Sequence, residues 1–191
     1  MTDKQILEIF GKTGAFLKGH FKLSSGLHSA QYLQCARVLQ HPQHAEKLCK
    51  ALAEKFKKTG PDIVIAPALG GILVSYEVAR ALGVKSLFME RVNGKMALRR
   101  GFEISKNDKV LIVEDVITTG LSTKEVIEAV KSFTSAIVGV GCLVDRSGGK
   151  VDFDMPFKSL FNLDMPTFKP ENCPLCKDKI PLTKPGSRLP S

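Results

Sequence analysis

No run of eighteen or more apolar residues occurs in this 191-residue chain, which excludes a hydrophobic membrane-spanning helix. The opening Met1-Thr2-Asp3-Lys4-Gln5 lacks the basic-then-apolar order of a secretory signal, so a cytoplasmic protein is expected. Cysteine is sparse and odd in number. Cys35, Cys49, Cys142, Cys173 and Cys176 are scattered through a chain too large to need disulfide staples, which points to reduced thiols. Cys173-Pro-Leu-Cys176 has the spacing of half a zinc site, but four ligands are needed, and His20, His28, His41 and His44 lie far upstream. The pair is read as a turn carrying two thiols, and no dedicated metal centre is expected. Two common phosphate motifs are also missing, since neither G-x-x-x-x-G-K-[ST] nor G-x-G-x-x-G after a strand is present. Internal repeats and low-complexity tracts are absent.

Against these absences stand 43% hydrophobic residues, enough for one substantial core and a single domain spanning residues 1–191. Lys and Arg outnumber Asp and Glu by 28 to 19, and the resulting +9 implies an anionic partner. Nucleic acid, an acidic membrane surface or a polyphosphate metabolite would each benefit from that field, and composition does not choose among them.

The apolar pattern organises the chain. Ile6, Leu7, Ile9 and Phe10 behind Thr2 or Asp3 predict a short helix from Asp3 to Lys12, ended by Gly11 and Gly14. Phe21-Lys22-Leu23 and Ala30 to Cys35 read as extended pieces around Ser24-Ser25-Gly26, a small hairpin or hood over about residues 1–40. Pro42, Ala45, Leu48, Leu52 and Phe56 predict a surface helix to about Lys58. From Asp62 onward strand and helix alternate: Ile63–Ala66, a helix over 72–82 closed by Gly83, a strand over 84–89, and another over 109–113. A helix with Ser122 and Glu125 as its capping box follows, then a strand over 136–144. This alternation predicts a doubly wound α/β fold, a parallel sheet flanked by helices with right-handed crossovers. Six prolines from Met165 onward predict an irregular tail, about 165–191, lying over the body without adding a core element.

Chemistry concentrates in Val110-Leu-Ile-Val-Glu114-Asp115-Val116-Ile117-Thr118-Thr119-Gly120, continuing to Leu121 and Ser122. A buried strand ends in two acids, and a hydroxyl-rich loop then opens a helix. Ligands of open α/β sheets bind at the carboxyl ends of strands, and a helix N-terminus offers N–H groups to phosphate. Acids that accept hydrogen bonds from ribose hydroxyls, directly or through a metal-bound water, beside a loop that holds a 5′-phosphate suit a sugar phosphate.

This segment resembles the phosphoribosyl pyrophosphate motif of the type I phosphoribosyltransferases. Within that family nearly the whole chain resembles the orotate phosphoribosyltransferases. Phe21-Lys-Leu-Ser-Ser-Gly26 with Ser29 and Tyr32 is similar to their base-covering region. Pro67-Ala68-Leu69-Gly70-Gly71 is similar to their pyrophosphate loop, Glu90-Arg91 onward to their mobile catalytic loop, and Leu143-Val-Asp145-Arg146-Ser147 to their orotate-reading turn. Cys173-Pro-Leu-Cys176 and Lys184-Pro-Gly-Ser-Arg188 resemble the tail of one bacterial or archaeal branch.

The resemblance implies a type I phosphoribosyltransferase-like fold with an N-terminal hood, magnesium as cofactor held mainly by substrate oxygens and water, and a homodimer without nucleic-acid or membrane partners. It implies Lys95, Glu114 and Asp115 as catalytic residues. Phosphoribosyl pyrophosphate would meet Ala68 to Gly71, Arg91, Lys95 and Glu114 to Ser122; orotate would meet Ser25, Tyr32, Thr118 and Arg146, whose guanidinium suits a carboxylate. Ser24, Gly70, Val92 and Ala97 stand where many members carry lysine or histidine, so fewer cations face the polyphosphate, and Arg99 or Arg100 is the candidate compensation. A purine phosphoribosyltransferase would share residues 114–122 but need another base pocket. A nucleic-acid-binding sensor with this fold would need a basic reading helix that the sequence does not display.

Overall fold

The computed structural model describes residues 1–23 and 25–185; Ser24 and Arg188, both singled out above, lie outside the described residues. Helix α1 (Asp3–Lys12) begins with a complete capping box, in which Thr2 Oγ1 accepts from the Gln5 N–H while the Gln5 side chain accepts from the Thr2 N–H. Its buried Ile6, Ile9 and Phe10 lean on the body, so the N-terminal region shares the main core. Strands β1 (Phe16–Lys22) and β2 (His28–Leu33) form the expected antiparallel hairpin, with a register shift between Lys18 and Phe21. Helices α2 (Ala36–Leu39) and α3 (Pro42–Glu54) follow, and α3 stops short of Lys58 because residues 57–59 tighten into a 3-10 turn closed by left-handed Gly60.

The central sheet comprises β3 (Ile63–Pro67), β4 (Lys85–Val92), β5 (Lys95–Leu98), β6 (Val110–Ile117), β7 (Ile137–Asp145) and β8 (Phe157–Asn162), in the order β5-β4-β3-β6-β7-β8. All neighbours are parallel except the β4–β5 edge. Continuous apolar runs fit here because both faces are covered. Val64, Ala66, Leu111 and Val113 join one buried cluster with α3 and with Val74 and Val78 of α4 (Gly71–Leu82); Ile63, Ile65, Val110 and Ile112 join the other with Val126, Ile127 and Val130 of α5 (Leu121–Lys131). Gly139 and Gly141 make room for Phe56, whose ring atoms lie 3.1 and 2.8 Å from where their Cβ atoms would stand. Bulk at either position would push Phe56 from the core.

Three expectations change. The segment from Glu90-Arg91 onward, likened above to a mobile loop, forms a hairpin, because Asn93 (φ 49°) and Gly94 (φ 81°) make the two-residue left-handed turn that matches strand twist. The capping box at Ser122 and Glu125 does not form: Gly120 (φ 71°) occupies the cap of α5 with no side-chain hydrogen bond, and Glu125 is drawn instead to Arg91. The tail is more than a drape. After a short helix α6 (Pro174–Lys177), strand β9 (Leu182–Thr183) pairs in parallel with β1 and completes a three-stranded hood sheet, β2-β1-β9. Strand β8, for which residues 157–162 carry no clean alternation, was also absent from the sequence reading. No helix among the described residues is long and apolar enough to cross a membrane.

Candidate active site

Between β3 and β6 the sheet order reverses direction. The chain leaves β3 through α4 toward β4 on one side, and leaves β6 through α5 toward β7 on the other. Such a switch point opens a crevice beyond the strand carboxyl ends. The loop 68–70 after β3 and the loop 118–120 after β6 form its lips. They come close: a Cβ on Gly70 would stand 2.9 Å from the Asp115 carboxylate oxygens. Gly71 is tighter still, its missing Cβ lying 2.7 Å from Ala66 Cβ, so α4 can start directly against β3 only with glycine there.

A cleft of about 320 Å³ occupies this place. Glu114 to Ser122 line one wall, Ser25 and Tyr32 of the hood region another, and Arg146 the end of β7. The cleft lining thus brings together twelve residues expected from the sequence, Ser25, Tyr32, 114–122 and Arg146, while Ala68 to Gly71, Arg91 and Lys95 are not among its walls. Of that second group, Gly70 nonetheless abuts Asp115.

Local hydrogen bonds set the walls. Glu114, part-way along β6, accepts from Thr123 Oγ1 of α5 at 2.6 Å, and Asp115 accepts from the Val116 N–H at 2.9 Å. Burial pushes the Asp115 carboxyl above the usual aspartate range, only partly countered by the N–H groups of Val116 and of Asp115 itself. Arg146 is aimed by two tethers: its own N–H donates to Ile117 O at 2.8 Å, and Asp145 Oδ1 accepts from the Ser147 N–H at 2.7 Å, folding the turn around it. Its Nε is buried and has no hydrogen-bond partner among the described residues. Burial lowers the guanidinium's pKa from its usual value, the direction expected of a cation waiting for an anion. Tyr32, tilted against Phe21 at a ring separation of 5.7 Å, has its phenol pKa raised by burial and then by Asp115. Cys35 at the floor is held as a neutral thiol, its pKa driven well up by burial.

A strand-borne acid pair, a hydroxyl-rich helix entry and a desolvated guanidinium share one crevice. The family model for the phosphoribosyl transferase domain matches residues 34–174. Orotate phosphoribosyltransferase of Desulforamulus reducens is 58% identical over 188 residues, covering 98% of both chains. The chain belongs to the orotate phosphoribosyltransferase family. The Thermotoga maritima orotate phosphoribosyltransferase is 54% identical across 96% of this chain and 98% of its own. Among solved structures, the Aeropyrum pernix orotate phosphoribosyltransferase is similar at a TM-score of 0.66 and 26% identity, over 81% of this chain and 92% of that one. The Mycobacterium tuberculosis enzyme in complex with 5-phospho-α-D-ribosyl 1-diphosphate shares the fold, with a TM-score of 0.66 and 23% identity over 83% and 94% of the two chains.

The basic residues near the crevice differ in how they are engaged. Arg91 forms a two-pronged ion pair with Glu125 of α5 and also donates to Gly94 O at 2.7 Å. Arg100 is engaged by Glu90 through bonds of 2.9 and 2.7 Å. Lys95 is exposed on the hairpin. Two cations that the sequence reading passed over, Lys22 at the end of β1 and Lys184 just after β9, line the cleft along with Gln34 and Cys35. Lys22 lies within the expected extended piece Phe21-Lys22-Leu23. Lys184 had no local signal, because its position depends on a strand pairing across about 160 residues of chain.

The hood holds another grouping apart from the cleft. His20 and His28, which the linear sequence sets far from Cys173 and Cys176, converge on them, with ligand-capable atoms of all four within 4.8 Å of one another. The separation that set these histidines apart from Cys173 and Cys176 does not persist in the fold, because hairpin register and the returning tail bring them together. An outward extension of the expected hairpin carries half of this signal, since His28 pairs near Lys22 and His20 lies two residues back on the same strand.

Proposed function

We infer that this chain transfers ribose 5-phosphate from 5-phosphoribosyl 1-pyrophosphate to orotate, giving orotidine 5′-monophosphate and pyrophosphate, a step of pyrimidine (UMP) biosynthesis. The observation that carries the base specificity is the buried, unpartnered Nε of Arg146 in the same cleft as residues 114–122. A desolvated guanidinium is costly unless an anion meets it, and the orotate carboxylate supplies a planar partner for two parallel N–H donors.

In this reading Thr118 to Ser122 hold the 5′-phosphate through N–H groups and hydroxyls at the start of α5. Glu114 and Asp115 orient the ribose hydroxyls. The pyrimidine nitrogen then forms its bond to the anomeric carbon as the bond to pyrophosphate breaks, and the electron pair leaves with the pyrophosphate oxygen. Tyr32 and Ser25 close over the base, Thr118 reaches its edge, and loop 68–71 faces the pyrophosphate with backbone N–H groups. Arg91 and Lys95 bring positive charge on the hairpin, and Lys22 and Lys184 add charge at the cleft wall.

Magnesium fits this donor set. The two acids that line the crevice, Glu114 and Asp115, are consecutive on one strand and do not form a closed cage, which suits an ion carried by phosphates and water. When bound, it would neutralise the departing pyrophosphate. The working unit in this reading is a cytoplasmic homodimer. The deciding measurement is nucleotide and pyrophosphate formation from 5-phosphoribosyl 1-pyrophosphate and magnesium with orotate, uracil, adenine, guanine or hypoxanthine offered singly. Turnover with orotate alone is expected. Turnover with a purine and none with orotate would overturn the assignment, as would the absence of any transfer.

A further inference from the structure

The tail presents a physical puzzle. From Pro166 to Pro185 only Cys173 is buried, yet the segment holds an ordered path across the hood. So little apolar burial cannot offset the conformational entropy of ordering some twenty residues at roughly 1–2 kcal/mol each. Hydrogen bonds help: His28 and Phe168 exchange N–H···O bonds of 2.8 Å, Ser29 donates to Pro166 O at 3.0 Å, and Thr183 donates to His20 O at 2.9 Å. These are short-range ties on an exposed strap, each contributing modestly.

At the centre of the strap lie His20, His28, Cys173 and Cys176. The first three are buried, at 2%, 4% and 0% exposure, whereas Cys176 opens to solvent. His20 Nε2 lies 2.9 Å from His28 Nδ1, 3.5 Å from Cys173 Sγ and 3.7 Å from Cys176 Sγ, and Cys176 Sγ lies 3.4 Å from His28 Nδ1. Tetrahedral zinc with bonds of about 2.0–2.1 Å to nitrogen and 2.3 Å to sulfur places neighbouring N and S ligands roughly 3.5 Å apart. The three N–S separations match that edge, and the nitrogen pair is a few tenths of an ångström tighter. The opposite face of His20 is also prepared. Its Nδ1 lies 2.8 Å from Ile180 O, a bond that requires the proton on Nδ1 and leaves the Nε2 lone pair directed at the cluster.

We propose that His20, His28, Cys173 and Cys176 bind one zinc ion, which clips the C-terminal strap to the hood hairpin and so sets Lys184 at the wall of the cleft. Both thiols lose their protons to solvent and both imidazoles bind as neutral rings, so about two protons are released per ion near neutral pH. Nothing in the transfer reaction is routed through this ion. It acts on geometry: His20 and Lys22 belong to the same strand, while Cys173, Cys176 and Lys184 lie along the same strap. Hydrogen bonding among neutral groups is the competing account of the cluster. It explains contacts pair by pair, but not the gathering of four ligand-capable atoms, one from each side chain, within 4.8 Å of one another.

The test uses full-length protein without a polyhistidine tag, prepared under reducing conditions with zinc supplied, then dialysed against a weak chelator. Elemental analysis should find about one zinc per chain, and cobalt(II) replacement should show the intense visible bands and thiolate charge transfer of a tetrahedral site. Cys176→Ser is the informative variant, because a serine hydroxyl preserves hydrogen bonding and Cys176 is at the surface. It should lose most of the bound zinc and the cobalt spectrum while remaining folded by circular dichroism. Strong chelation of the unaltered protein should accelerate amide exchange over residues 166–185, but not over β3 and β6. Less than about a tenth of an ion per chain, or zinc content unchanged by both Cys176→Ser and His28→Ala, would overturn the proposal. Neither readout depends on which base the enzyme accepts.

Discussion

At the scale of single residues, two groups in the cleft are held in states that water would not favour. Arg146 is a desolvated cation with an orphan Nε, which the orotate carboxylate would satisfy in the proposed function. Loss of such a charge-assisted contact costs about 2–3 kcal/mol, so Arg146→Ala should raise the KM for orotate roughly 30- to 150-fold. Binding of 5-phosphoribosyl 1-pyrophosphate, followed by calorimetry, should stay within about threefold of the unaltered protein, since Arg146 is not among the residues proposed to meet it. An unchanged KM for orotate would remove Arg146 from the base site. Asp115 is the complementary case. Its carboxyl pKa is raised in the folded protein by burial, so the folded state prefers the protonated form. Below the ordinary aspartate range both folded and unfolded chains are protonated and ionisation takes nothing from stability; as the pH rises through the raised folded value that relative stability is lost, and it stays lost at neutral pH. Asp115→Asn should therefore raise Tm at pH 7, with the gain shrinking towards pH 3, while transferase activity falls. Equal Tm differences at both pH values would show that the carboxylate is not strained by burial.

Elements decide what these residues can reach. The β4–β5 hairpin carries Lys95 on its return strand, turned by Asn93-Gly94, and Glu125 of α5 holds Arg91 at its base. Lys95 is outside the cleft walls, so a role in the chemistry requires the hairpin to bring it to a polyphosphate whose charge grows as the glycosidic bond stretches. If that transition-state contact contributes about 3–4 kcal/mol, Lys95→Ala should lower the single-turnover rate about a hundredfold to a thousandfold at saturating substrates. Equilibrium binding of 5-phosphoribosyl 1-pyrophosphate should change little. A weakened affinity with an intact single-turnover rate would make Lys95 an anchor instead. The same hairpin shows why part of the fold escaped the linear reading: four residues, Lys95 to Leu98, are too few for periodicity, and the Asn-Gly pair was the usable signal. The cap of α5 failed for a different reason. Ser122 and Glu125 had the right spacing, but Gly120 adopted the left-handed cap conformation and Arg91 offered Glu125 a charged partner.

For the whole molecule, the question is whether one chain suffices. In the proposed homodimer the hairpin with Arg91 and Lys95 would reach the active site of a neighbouring subunit. Mixed dimers from Lys95→Ala and Asp115→Asn subunits should then regain activity, because one of their two sites would receive an intact hairpin and an intact β6. At equal mixing about half the dimers are mixed and each restores one site of two, so recovery should approach a quarter of the unaltered activity. Subunit exchange, verified by mass-labelled subunits, without recovery would place hairpin and acids in the same protomer.

Contiguous features were legible from the sequence alone: the parallel sheet from apolar runs buried on both faces, α4 from its closing glycine, and the cleft-lining segment 114–122 from two acids and a hydroxyl-rich loop adjoining in the chain. Each rests on interactions within a few residues or on a pattern that burial imposes on neighbours. Only the tertiary structure decided what depends on distant pairing. Lys184 entered the cleft because β9 joins β1, Arg146 became an orphaned cation because β7 ends beside β6, and two thiols met two imidazoles because a tail with almost no buried apolar surface returns over the hood hairpin. No local propensity encodes those meetings, since they are set by sheet order and register, which the whole core determines together.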